Sequence, residues 1–442
     1  MTALALCLAG CSSDRVGLVA SDTAGELPSP ATYGWRTSAP VIEMEPPPYT
    51  DSLTFREAVS NALAFNPAVK ATYEEIGAKH GEALQSSFRL NPELEFGLED
   101  IPNTGGIAAE DSGEALLISQ VIELGDKRLK RWEAAQLESS LAVWDFEVAR
   151  LQAATQAAEA FVDVLAAQER IAILDDFVLI SQKTRSGVEA RVKGGSASPI
   201  ELDRADVSVA QARATLQAER ARFDAARGKL SALWGGNGST FGRAAGALGR
   251  SRTVPSVEEV KASLDGNPVL ARWADEIGHR NAVLQVELSK AIPNVTLGAG
   301  YRRFASDDSG GIMASVSVPL QVFDRNEGNI AAAERRIARA EFDAQATRTR
   351  MIGLLIGALG ALKAADVQAR AIEANVLPAA QMAFDKTRTG YQQGKFDLLN
   401  VLDTQRTLFE ARQDLVNARA EYEKARVQVE ALVGRSLNGL GH

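Results

Sequence analysis

The chain has 442 residues, 45% hydrophobic and 24% charged, so apolar material for a large core is present, and its net charge of -9 excludes a general nucleic-acid binder, which needs a basic face. No apolar run approaches the roughly twenty residues of a membrane-spanning helix. Two cysteines and three scattered histidines, His80, His279 and His442, form no metal cluster, and neither a phosphate loop nor a nucleophile elbow occurs, so an enzyme reading has no residues to rest on.

The chain opens with a short apolar run that resembles the end of a bacterial lipoprotein signal peptide, Leu8-Ala9-Gly10-Cys11 being its lipobox. The resemblance implies cleavage after residue 10 and acylation of Cys11, a covalent lipid in place of any cofactor. The usual basic segment is missing, so translation is expected to start upstream of Met1. Residues 11–50, with Pro46-Pro47-Pro48 and little periodicity, read as a lipid-anchored extended tether.

Thr54 precedes an apolar pattern from Phe55 to Phe65, a capped helix that stops before Asn66-Pro67, and a second helix is expected over 68–90. Leu94, Phe96 and Leu98 alternate with polar residues, as do Leu116, Ile118 and Ile122, which is the pattern of two strands joined by a polar loop over 101–113. From Asp126 to Ser186 neither Gly nor Pro is expected to break one very long helix. Leu137, Leu141, Trp144, Val148, Leu151, Thr155, Ala158, Val162 and Leu165 form its heptad-like seam, while Ala142, Ala149, Ala153, Ala160 and Ala167 supply a second face of small residues. Glu169 interrupts the seam. Such a helix touches neighbours on two sides, as the staves of a helical cylinder do, although a plain coiled coil suits the same stretch. A turn at Gly194-Gly195 leads to a helix from Pro199 to about Trp234.

This order then recurs. Asn66-Pro67 returns as Asn267-Pro268, Glu75-Ile76-Gly77 as Glu276-Ile277-Gly278, and Pro92 with Gly97 as Pro293 with Gly298, all shifted by 201 positions. The expected units are therefore a first repeat over 51–235, a connector over 236–255, a second repeat over 256–435 and a tail over 436–442. In the second repeat, Val295, Leu297, Ala299 and Tyr301 alternate with polar residues and glycines, and Ile312, Ala314, Val316 and Val318 follow across a loop at 303–311. A helix from Asn326 to Thr389, with Pro378 kinking it, and a helix to Val433 complete the repeat. Gly353, Gly357 and Gly360 within it suggest close helix packing.

Strands of about nine residues with one apolar face suit a tilted membrane strand as well as a soluble hairpin on a helix. If they cross a membrane, Leu94, Phe96, Val295 and Leu297 face lipid. Four strands cannot close a barrel and open edges are not tolerated in lipid, so several chains would have to pool them. The turns Arg191–Ser198 and Tyr391–Leu398 then lie at the far end of the long helices. There Gly194, Gly195 and Gly394 permit the reversal, and Ser196, Lys395, Phe396 and Asp397 are expected to be free for a partner.

Two repeats of helix, hairpin, long helix and helix behind a lipobox resemble the TolC-type outer-membrane efflux family across residues 52–435. The junctions Ser119-Gln120 through Glu123-Leu124-Gly125-Asp126-Lys127-Arg128, and Val318-Pro319-Leu320 through Phe323-Asp324-Arg325-Asn326-Glu327-Gly328-Asn329, resemble the cobalt-zinc-cadmium (CzcC-like) branch, with Gly125-Asp126 where that branch commonly shows a Gly pair. The resemblance implies a mainly α fold with a small β part: three chains would form a twelve-stranded outer-membrane barrel continued by a helical periplasmic tunnel. It also implies a passive exit duct for heavy-metal cations, working with a periplasmic adaptor and an inner-membrane resistance-nodulation-division transporter. Drug efflux, protein secretion and a soluble coiled-coil adaptor or scaffold are the alternatives at this point.

Overall fold

The computed structural model describes residues 48–99, 113–249, 254–304 and 309–434. Cys11 and most of the tether lie outside these residues, as do most of the first hairpin loop and part of the second. The chain runs β1 (Thr50–Leu53), α1 (Phe55–Phe65), α2 (Pro67–Ser86), β2 (Glu93–Glu99), β3 (Gly113–Ile122), α3 (Lys127–Lys193) and α4 (Pro199–Ala232). It continues with β4 (Phe241–Ala244), α5 (Val257–Lys261) and a 3-10 turn (Ala262–Gly266), then α6 (Pro268–Lys290), β5 (Val295–Phe304) and β6 (Gly310–Ser317). The last stretch is α7 (Glu327–Ala371), a π turn (Ile372–Val376), α8 (Leu377–Gln392) and α9 (Leu398–Val433).

Helix α3 has 67 residues and is therefore about 100 Å long at 1.5 Å per residue. It packs on α2, α4, α6 and α9. Both of its sequence-derived faces are used. Leu141, Trp144, Ala158, Val162 and Leu165 of the seam are buried, and so are Ala142, Ala153, Ala160 and Ala167 of the small-residue face. The second long helix is not one continuous α-helix over 326–389. Pro378 lacks the N–H that would bond one turn back, and its ring would press on that turn's carbonyl. The backbone widens into the π turn just ahead of it, and α8 restarts with the proline in its first turn. The helical stretch Glu327–Gln392 also contains an 18-residue window with mean hydropathy 1.4, apolar enough by length and composition to cross a bilayer, which the search of the sequence for long apolar runs had not suggested.

The recurring Asn-Pro pair has a structural reason in each half. Asn66 caps α2 by accepting from the Ala68 and Val69 amides at 2.9 and 3.3 Å while its amide group donates to the Leu233 carbonyl at 2.8 Å. Asn267 accepts from the Val269 amide at 2.9 Å and donates to the carbonyls of Ala431 and Leu432 at 3.1 and 2.9 Å. Each proline fills a first-turn position where no N–H is needed, and each asparagine ties its helix to the end of the last helix in the same half. Thr54 and Glu57 form a reciprocal capping box on α1, and Ser256 and Glu259 repeat it on α5.

Residues 236–255, expected only to connect, contain β4, which pairs in parallel with β1. The Gln168 side chain serves β4 as a further partner, accepting from the Ala244 amide at 2.6 Å and donating to its carbonyl at 3.1 Å. Glu169, the interruption of the seam, accepts from the Leu248 amide at 2.9 Å. Around this knot Trp234 and Phe241 are fully buried with Phe161, Val164 and Leu230 in the main core cluster.

Candidate functional site: the amphipathic sheet and the helix tips

The two hairpins join into one antiparallel sheet in the order β2-β3-β5-β6, so β2 and β6 are open edges. In an antiparallel sheet directly opposed residues point to the same side. The register places Phe96, Leu116, Tyr301 and Ile312 in one row across all four strands, and Leu94, Ile118, Ala299 and Ala314 in the next. Gln120, Leu297 and Val316 follow on the same side, and then Ile122 with Val295. All four residues expected to face lipid therefore share a face. Leu94, Phe96 and Leu297 are 71%, 63% and 47% exposed and Val295 is half-buried. The opposite face carries Glu93, Glu95, Ser119, Thr296, Arg302 and Ser315, with glycines at 97, 298 and 300 and with Leu117, Val121 and Met313 among them. A broad exposed apolar face of this kind is a surface for lipid or for another chain, not a stable face toward water.

The sheet enters the long helices through a left-handed bend. Gly125 and Asp126 both have positive φ, 71° and 58°, and Asn326 repeats the conformation at 64°. Asp and Asn are the side-chain-bearing residues that best tolerate this region, which is why Asp126 can stand in the second place of what resembles a Gly pair. Gly125 has no such substitute, because a Cβ there would lie 2.5 Å from the Ile292 side chain. Lys127 crosses from this bend to the other half, donating to the Ile292 carbonyl and to Asn294 Oδ1 at 2.5 Å each. Beside it the Arg131 guanidinium grips the Glu123 carboxylate, which holds the Glu123 pKa below its ordinary value.

At the other end both turns are helix C-caps of one type. In the first, the Ser196 amide donates to the Arg191 carbonyl at 2.8 Å and Gly195, at φ 70°, donates to Val192 at 3.0 Å. In the second, Lys395 donates to Gly390 at 2.8 Å and Gly394, at φ 75°, donates to Tyr391 at 3.0 Å. These are Schellman motifs, with glycine at the left-handed position. Gly194 is not part of that requirement: its φ of -83° is open to any residue.

Several tip residues expected to be free are engaged in the fold. Asp397 caps α9, accepting from the Asn400 amide at 3.1 Å and from its side chain at 2.7 Å. Ser196 Oγ donates back to the Arg191 carbonyl at 3.1 Å. Phe396 is exposed, at 47%, as expected, although one side of its ring lies over Gly390, where a Cβ would meet it at 2.3 Å. Lys395 is exposed. The sequence reading missed what ties the two tips together. Arg191 donates to the Tyr391 carbonyl and to the Ser196 carbonyl, and its guanidinium lies 4.3 Å from the centre of the Tyr391 ring. Tyr391 in turn donates to Glu201 Oε2 at 2.9 Å on α4. Burial and the Glu201 carboxylate push the Tyr391 pKa up to about 12. Residues 200 positions apart in sequence gave no local signal for this lock.

Among the described residues no group of three or more His, Cys, Asp or Glu converges on a metal-sized site. His279 is buried on α6 with its Nδ1 unpartnered, and burial, aided by Arg280, pushes its pKa down, so it is a neutral core histidine.

The chain matches the family model described as "Outer membrane efflux protein" over residues 58–236 and 260–435. It is 30% identical over 399 residues to the cobalt-zinc-cadmium resistance protein CzcC of Cupriavidus metallidurans, covering 90% of this chain and 94% of that one. It is 26% identical to the nickel-cobalt-cadmium resistance protein NccC of Alcaligenes xylosoxydans over 67% of this chain and 66% of that one. In fold it resembles the crystal structures of CusC, with a TM-score of 0.73 at 16% identity over 93% of this chain and 98% of that one. With two amphipathic hairpins set on long helices and a family match over most of its length, the chain belongs to the outer membrane efflux protein family.

Proposed function

We propose that this efflux channel is the exit duct of a tripartite pump for heavy-metal cations, formed by three copies of the chain. The observation that carries the proposal is the sheet: one face carries large apolar side chains on every strand, the other is richer in polar residues and glycine, and both edges are open. Lipid supplies the environment that such a face needs, and other copies supply the partners that the edges need. Leu94, Phe96, Val295 and Leu297 face the lipid, and the polar face lines the passage. The long helices continue it through the periplasm as a tunnel, with the repeats over 51–235 and 256–435 as alternating walls. Cys11 carries the lipid anchor. A periplasmic adaptor meets the tips, and an inner-membrane transporter of the resistance-nodulation-division type supplies the energy. The metal cargo follows from the similarity to CzcC and NccC, which are named for resistance to cobalt, zinc, cadmium and nickel. Ions are passed rather than held, attracted weakly by oxygen ligands, in keeping with the described residues, among which no ligand set converges.

Deleting the gene should sensitise cells to zinc, cobalt or cadmium, and the intact gene should restore tolerance. Unchanged metal tolerance with new sensitivity to lipophilic drugs would overturn the cargo assignment. For the anchor, radioactive palmitate should label the wild-type chain and not Cys11→Ala.

A further inference from the structure

Helices α3 and α6 carry the two central strands of the sheet. Strand β3 runs into α3, α6 runs into β5, and β3 pairs with β5, so the seam between these helices sets how the two halves of the chain meet beneath the sheet. Paired polar groups build that seam. Trp144 Nε1 donates to Asp275 Oδ2 at 2.6 Å, and Arg272 reaches Asp145 on α3 at 2.8 Å and the buried Glu276 on its own helix at 3.4 Å. Arg280 holds the same Glu276 at 2.7 Å, and Lys79 of α2 holds Glu138 of α3 at 2.8 Å.

His279 stands among these groups without such a match. It is 9% exposed, and its Nδ1 has no hydrogen-bond partner. The charged groups that act on it are Glu276 and Arg280 on α6, Glu138 on α3 and Lys79 on α2. Helix α7 packs on α6 as well, and its Arg336 acts on Glu287, farther along α6. Both carboxylates near His279 are already taken, Glu276 by two arginines and Glu138 by Lys79. A histidine is also not something this turn of helix needs. The position 201 residues earlier, in the first repeat, is Ala78, although Glu75 and Lys79 of that turn return as Glu276 and Arg280.

We propose that His279 makes this joint acid-sensitive: a proton taken up by its imidazole places an unmatched charge in the seam, and α6 parts from α3 to let water reach it. Neutral, the imidazole is tolerated where it is buried. Charged, it meets the cost of desolvation and repulsion from Arg280 and Lys79, while the attraction of Glu138 and Glu276 is largely spent on their existing partners. Burial is the largest of these effects and holds the folded pKa below the ordinary 6.5. The open joint therefore binds more protons than the closed one, so closure is at full strength above about pH 6.5 and weakens as the pH falls below it. His279 lies about 17 Å along α6 from Lys290, so the loosening acts at the root of β3 and β5 and leaves their pairing to follow. The inference goes beyond the duct reading and depends on neither its cargo nor its partners.

Backbone hydrogen exchange of α6 in the full chain, corrected for the intrinsic effect of pH, should quicken by up to about tenfold between about pH 7.5 and pH 5.5, a window above the ordinary carboxylate range. Helix α8, toward the tips, should not respond. His279→Gln should flatten the response of α6. The other histidines of the sequence are His80 and His442, so a chain with His80→Gln and His442→Gln keeps His279 alone and should respond as the wild type does. That arm changes nothing inside the joint and stands even where His279→Gln fails to fold. Wild-type exchange that ignores pH, a response that α8 shares equally, one that survives in His279→Gln, or one that vanishes when His279 is the sole histidine overturns the inference. None of these results touches the duct reading, which metal tolerance tests separately.

Discussion

At the scale of single residues, the bend between sheet and helices is where side-chain identity is most constrained. Gly125 combines a left-handed backbone with a wall of Ile292 against its missing Cβ. Gly125→Ala should therefore cost about 1–2 kcal/mol from backbone strain alone and more from the clash, read as a lowered midpoint in thermal unfolding. Asp126 shares the conformation but has open tolerance, so Asp126→Gly should be neutral or stabilising by up to about 1 kcal/mol. Equal losses in the two variants would show that the strain argument is wrong. Tyr391 gives a second, pH-dependent case. Its hydroxyl is held protonated by burial and by Glu201, so its folded pKa of about 12 exceeds the ordinary value of 10.0. The stability it contributes is complete below about pH 10 and is lost as pH rises toward 12. Tyr391→Phe should be less stable than wild type at pH 8, by about 1 kcal/mol for the lost hydrogen bond, and the gap should narrow between pH 10 and 12. A gap that is constant across that range would mean that the folded pKa is not raised above its ordinary value.

At the scale of elements, what was legible in the sequence was whatever depends on local periodicity. Most of the 67-residue α3 announces itself by the absence of Gly and Pro as far as Ser186 and by a seam every three or four residues, and the strands by alternation, while the helix runs on through Gly187 to Lys193. Their shared face adds a long-range fact, because only the register puts Phe96, Leu116, Tyr301 and Ile312 in one row. The elements that were missed are short or depend on distant partners. Strand β4 has four residues and is defined by β1 and by Gln168, and the π turn ahead of Pro378 reads in sequence only as a kink. A strand-level test separates the two faces of the sheet. Leu297→Arg should cost about 2–4 kcal/mol if it lies near mid-bilayer, so that membrane assembly drops sharply. Thr296→Arg, one residue away on the polar face, should assemble normally. If both assemble equally well, the apolar face does not meet lipid.

At the scale of the whole molecule, the question is which features of the tips serve the fold and which are left for a partner. The reading from sequence grouped Gly194, Gly195, Ser196, Gly394, Lys395, Phe396 and Asp397 by their place in the chain, and place alone does not distinguish a cap from a contact. The structure separates several of them. Gly195 and Gly394 are required by positive φ, and Asp397 is consumed as the cap of α9. Gly394→Glu would therefore strain the turn and test the fold rather than docking. Asp397→Ala should cost about 1 kcal/mol through the lost cap. It should do so with or without an adaptor. Lys395 remains exposed beside the half-covered Phe396 ring, on a turn whose backbone does not depend on the lysine side chain. Under the proposed docking role, Lys395→Glu should leave thermal stability and membrane insertion unchanged, because no capping or core contact is removed. Crosslinking to the adaptor and metal efflux should both fall, and Lys395→Arg should keep them, since the contribution is one of charge at an interface rim. Efflux that persists in Lys395→Glu would move the docking surface away from this turn and onto the sides of the long helices.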